Sequence, residues 1–122
     1  MNALASLLGR TLIIVAHPDD EAVTCAALMQ RMREPYVLFC TDGAPLDSYF
    51  WQPYGSREAY SLLRQKEATL ALSRIGVTNV EFLKAPFGEH IIDQQLFQRL
   101  PEAIEAVFQI ISRVRPQALL TL

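Results

Sequence analysis

The chain alternates short apolar runs with longer amphipathic stretches. Residues 11–16 form a continuous apolar run rich in β-branched side chains, which predicts a strand buried on both faces of a parallel sheet. Residues 20–33 are dominated by Ala, Leu and Met, with Arg31 and Arg33 near the end, and predict a helix closed by Glu34 and Pro35. Residues 36–41 predict a second buried strand, stopped by Asp42 and Gly43. Residues 44–55, broken by Pro45 and Pro53, predict a loop. Ser56 is suited to cap a helix running to about Arg74, with Leu62, Leu63, Leu70 and Leu72 as its apolar positions. Gly76 suits the left-handed residue that ends such a helix. Residues 78–83 predict a third strand and residues 84–92 another loop. A long helix follows from about Gln94 to Val114, carrying Ile104, Val107, Phe108 and Ile111 at helical spacing, with Pro101 as an alternative start. Arg115 and Pro116 close it, and residues 117–122 open a fourth strand.

Strand and helix alternating in this way predict an α/β fold, a doubly wound (Rossmann-like), mostly parallel sheet flanked by helices. The expectation is a single domain over residues 1–122, truncated after its fourth strand and so incomplete at the C-terminus. Ligands in such sheets bind beyond the carboxyl ends of the strands, which directs attention to the residues after each strand.

Composition narrows the classes. Eleven basic residues stand against thirteen acidic ones, and a net charge of -2 offers no footprint for nucleic acid or an anionic membrane. No basic leader precedes an apolar segment, and no run is long enough to span a bilayer, so a cytoplasmic location is expected. Cys25 and Cys40 lack a C-x-x-C spacing and read as two buried free thiols.

The chemistry gathers directly after the first strand, where Ala16, His17, Pro18, Asp19, Asp20 and Glu21 follow one another. Three carboxylates here also lie at the start of the next helix, where negative charge is favoured, and Asp19 or Asp20 as a helix cap is the plain structural reading. His17 adds a second reading. A His-x-x-Asp turn offers an imidazole nitrogen and a carboxylate oxygen to one ion, and zinc accepts both. Asp19, between the two, is then placed to take a proton from a water on that ion. Glu21 would support the turn by capping or by a hydrogen bond to a ligand.

This stretch resembles the signature of the PIG-L/LmbE-like zinc-dependent N-deacetylases. Thr41-Asp42-Gly43 after the second strand is similar to that family's strand-two end. Arg64 and Glu67, followed by Ile75-Gly76-Val77, resemble its Arg-x-x-Glu helix and the turn after it. Arg115-Pro116 before the last strand also fits. The resemblance covers nearly the whole chain. It implies hydrolysis of an N-acetyl group from a small molecule, typically a glucosamine derivative. It implies Zn2+ on His17 and Asp20, with Asp19 as general base. Arg64 and Asp42 are implied as substrate-binding or site-organising residues, although Arg64–Glu67 is also an ordinary helix-surface pair and Asp42 an ordinary turn former. The family's third metal ligand, a histidine after the fourth strand, is absent from this chain. The only other histidine, His90, reads as a loop residue.

Other readings fit less well. A receiver domain needs an Asp at the end of the third strand, where Leu83-Lys84-Ala85 stands. Nucleotide-binding glycine patterns are missing. The alternative to an enzyme is a catalytically incomplete fragment or a binding module that keeps the motif, and oligomer formation is compatible with either. Tyr49, Phe50, Trp51 and Tyr54 form an aromatic segment that either stacks on a substrate or packs onto the domain.

Overall fold

The four expected strands become four parallel strands of one sheet in the computed structural model, which describes residues 2–20, 25–85 and 88–121. The strands are β1 (Arg10–Val15), β2 (Glu34–Phe39), β3 (Asn79–Phe82) and β4 (Ala118–Thr121). The α-helices among the described residues are α1 (Ala3–Leu7), α2 (Ala26–Met29), α3 (Ser48–Trp51), α4 (Arg57–Arg74) and α5 (Leu100–Val114). Single 3-10 turns occupy Gln52–Tyr54 and Leu96–Gln98.

Strand order is β3-β2-β1-β4. The chain therefore builds outward from β1 to β3, then returns through α5 to the other side of β1. That reversal is a topological switch point, and it opens a crevice at the carboxyl end of β1. Register keeps matched side chains on one face, with Leu12 beside Leu119 and Ile13 beside both Val37 and Leu120.

Side-chain alternation along the strands makes two cores. Ile13, Val15, Val37 and Phe39 pack with Met29, Met32, Ala68, Leu72 and Val77 on the face covered by α2 and α4. Leu12, Leu38, Leu83 and Ile91 pack with Ala103, Ala106 and Ile110 on the face covered by α5. Both faces of β1 and β2 are covered, so these two central strands read as apolar runs in the sequence.

α4 follows its expected limits. The Ser56 hydroxyl accepts from Ala59 N at 3.0 Å, and Gly76 (φ +83) carries the reversal after Ile75. Val77 N–H donates to Leu72 O at 2.9 Å and Gly76 N–H to Ser73 O at 3.1 Å, which together form the Schellman ending.

Elsewhere the boundaries differ from expectation. The second helix, expected over residues 20–33, has α2 as its described part and ends by Met29; residues 21–24 lie outside the described residues. Tight turns at Gln30, Arg31 and Met32 replace its last turn, and β2 starts at Glu34 because Glu34 pairs in register with Arg10. The segment expected as a loop contains α3, capped by the Asp47 carboxylate on Tyr49 N. α5 begins at Leu100, with Pro101 in its first turn, rather than at Gln94, whose φ of +68 lies outside the helical range.

Candidate functional site

β1 ends at Val15, and the chain turns through His17–Asp20 at the switch point. Two hydrogen bonds close this turn: Asp20 N to His17 O at 3.3 Å, and His17 N to the Asp20 carboxylate at 3.0 Å. The closure brings His17 Nδ1 to 3.3 Å from Asp20 Oδ2. Two donors on one tetrahedral zinc, each at ~2.0–2.2 Å, lie about 3.3–3.5 Å apart. The spacing matches two donors on one ion, and one imidazole with one carboxylate is chemistry that suits zinc.

Asp19 stands at the outside of the turn with φ +103, a conformation that costs a non-glycine residue about 1–3 kcal/mol. Its side chain is exposed and within reach of solvent or substrate. Arg64, projecting from α4, donates through Nη2 both to Pro18 O at 2.8 Å and to the Asp19 carboxylate at 3.0 Å. Burial lowers the pKa of this guanidinium, but the Asp19 hydrogen bond and the charges of Tyr60, Asp19 and Glu67 outweigh it, so the net shift is upward. Arg64 thus stays a cation against the turn. Its Glu67 partner is distant, at 3.8 Å, so the expected helix-surface pair is the weaker of its contacts.

Gly43 closes the other side. It has φ +75, and a Cβ there would come within 2.9 Å of Pro18 Cγ and 3.4 Å of Arg64 Cβ. Only glycine lets the strand-two turn approach the strand-one turn this closely.

Asp42 is 2% exposed and enclosed by protein. Its Oδ1 accepts from Ala44 N at 3.0 Å and Asp93 N at 3.2 Å, while Oδ2 accepts from Arg57 Nη1 at 2.6 Å. Such an arrangement suits a site-organising carboxylate. Arg57 and Asp93 were not singled out by the sequence reading. Neither stands in a recognisable spacing, although Asp93 follows two isoleucines, one of them fully buried.

Asp93 reaches His17 from the opposite side to Asp20. Its Oδ1 lies 2.8 Å from His17 Nε2, but no donor is well aligned on that oxygen. Burial raises the Asp93 pKa and Asp42 adds to this, against the lowering effects of His17, the Gln94 backbone and Arg64; the net shift is upward.

The other candidates fall as follows. Glu21 lies outside the described residues. His90 is not at the turn: its Nδ1 faces Leu83 O at 3.1 Å, and its ring meets Phe82 edge-on. No group of three His, Cys, Asp or Glu side chains able to hold a metal occurs among the described residues, so His17 and Asp20 are a pair without a third donor there. Tyr49 is 79% exposed and stands edge-on to Phe50, while Tyr54 stacks on Tyr60. Part of the aromatic segment is thus packed down and part is free. A cavity of about 710 Å³ lies along β3, with Gln65, Lys84, His90 and Arg113 in its lining. No helix among the described residues is long and apolar enough to cross a membrane.

The family model described as PIG-L, GlcNAc-PI de-N-acetylase, matches residues 12–122. A search among curated proteins finds no match.

Proposed function

Because the chain belongs to the PIG-L family, whose members are deacetylase-type hydrolases, we propose that it contributes the catalytic turn of a zinc-dependent N-deacetylase acting on an N-acetylated amino sugar. The observation that carries the reading is the 3.3 Å approach of His17 Nδ1 to Asp20 Oδ2 at the switch point. His17 and Asp20 hold the ion, and a third ligand comes from outside the described residues. Zinc, when bound, polarises the acyl carbonyl and lowers the pKa of water.

The chain's own residues supply the proton chemistry. Asp19, exposed and held by Arg64, takes a proton from the attacking water and passes it to the leaving nitrogen. The acyl C–N bond breaks, the water oxygen joins the acyl carbon, and the products are acetate and a free amine. Arg64 keeps Asp19 pointed at the reacting group. Tyr49 and Phe50 provide exposed aromatic faces suited to a sugar ring.

One observation favours a second reading, a binding module without catalysis: only two metal donors converge among the described residues. Zinc titration of the purified chain with Asp20→Ala as control, followed by acetate release from N-acetylglucosaminides, tests both readings. Tight zinc binding lost in the variant, with acetate release, supports the enzyme. Zinc binding without acetate release supports the module. Absence of zinc binding contradicts the metal site in this chain.

A further inference from the structure

The chain has two histidines, and both follow a parallel strand. Their ring nitrogens meet different partners. His90 Nδ1 faces the Leu83 carbonyl at 3.1 Å. A carbonyl only accepts, so His90 carries its proton on Nδ1. His17 Nε2 faces the Asp93 carboxylate at 2.8 Å, and its Nδ1 faces Asp20 at 3.3 Å.

Asp93 is held in place by more than its own contact. Its backbone N–H donates to Asp42 Oδ1, and Asp42 Oδ2 accepts from Arg57 Nη1 at 2.6 Å. Asp42 N–H in turn donates to Ile91 O at 2.9 Å, which fastens the Asp93 segment to the end of β2. Arg57 sits in the first turn of α4 and also donates to Ala44 O at 2.8 Å. A chain of contacts thus runs from Arg57 through Asp42 and Asp93 to the imidazole. Asp93 Oδ1 is buried and has no aligned donor, and a buried acceptor left so costs about 1–3 kcal/mol. The nitrogen at 2.8 Å that can supply a hydrogen is His17 Nε2.

We propose that Asp93 is a positioning residue that fixes the His17 ring with its proton on Nε2 and its Nδ1 lone pair open toward Asp20. Asp42 and Arg57 hold Asp93 for that task. A carboxylate on the far nitrogen of a metal-binding histidine sets ring tautomer and orientation and strengthens the near nitrogen as a donor. The inference rests on the proposed metal site for its purpose, but its geometry stands in the metal-free chain.

The test is two-dimensional long-range 1H–15N spectroscopy of the metal-free chain at pH 8. It reads the tautomer of each ring directly. The expected result is opposite tautomers, His17 protonated on Nε2 and His90 on Nδ1. In Asp93→Asn the His17 preference weakens and the His90 pattern stays. Arg57→Lys, which keeps the Asp93 carboxylate, shifts His17 in the same direction by less. Zinc affinity of Asp93→Asn falls about 10- to 100-fold. His17 protonated on Nδ1 in the unaltered chain overturns the proposal, and that result needs no variant to fold. An unchanged His17 tautomer in a folded Asp93→Asn chain overturns it as well. Expected tautomers together with no zinc binding by any chain leave the positioning role standing and refute the metal reading.

Discussion

The segments after β1 and β3 make an instructive pair. Each follows a buried parallel strand, and each carries a histidine within two to eight residues of the strand end. After β3, His90 donates to a backbone carbonyl, forms a bridge with Lys84 and packs on Phe82. After β1, His17 lies between two carboxylates, and an arginine clamps the same turn. β3 is an outer strand, whereas β1 lies at the point where strand order reverses. The crevice there lets side chains from β1, β2, α4 and the Asp93 segment meet. The same residue type meets a backbone carbonyl in one place and two carboxylates in the other because of what topology brings around it.

Substitutions that touch only one of these regions sharpen the contrast. The largest stability effect is expected at Arg57, whose loss leaves the enclosed Asp42 carboxylate without its cation. Arg57→Ala should cost about 3–5 kcal/mol by urea unfolding, whereas Arg113→Ala, which removes the exposed ion pair to Glu81 at the β3 edge, should cost about 1 kcal/mol or less. Equal losses would remove the special standing of the switch-point side.

Glycine turns provide the next comparison. Gly43 and Gly76 share a positive φ, but only Gly43 meets neighbouring atoms, those of Pro18 and Arg64. Gly76→Ala should cost about 1 kcal/mol, and Gly43→Ala about 1–3 kcal/mol beyond that. Similar costs would show that the two turns at the site are not tightly packed.

Asp19→Gly should have the opposite sign. Glycine accepts φ +103 without strain, so stability should rise by roughly 1 kcal/mol while any acetate release is lost. A fall in stability would mean that the contacts of the Asp19 carboxylate outweigh the strain of its backbone.

The smallest effect concerns Cys40. Burial pushes its thiol up to about 11. A raised folded pKa stabilises the fold below the ordinary thiol value of 9.0, and that contribution is lost as pH rises through about 11. Iodoacetamide labelling of the folded chain at pH 8 should therefore be slow, and fast labelling would show that the strand-two end opens readily.

Much of this was legible in the sequence. A continuous β-branched run marked β1, and Ser56 with Gly76 bracketed α4 because capping is a local event. The His17–Asp20 turn was legible because its residues are adjacent in the chain. α1 and α3 escaped notice because helices of five and four residues carry no full period of apolar positions. Asp93 and Arg57 escaped for a different reason. Their roles depend on contacts across 76 and 15 positions, His17 to Asp93 and Asp42 to Arg57, and no local spacing encodes such distances.

Anomalous diffraction at the zinc edge from crystals of the zinc-treated chain tests the central claim most directly. The account predicts a single strong peak within ~2.0–2.2 Å of both His17 Nδ1 and an Asp20 carboxylate oxygen, with Asp93 on the far side of the ring. A peak at His90, a peak on His17 Nε2, or no peak at the turn would contradict it.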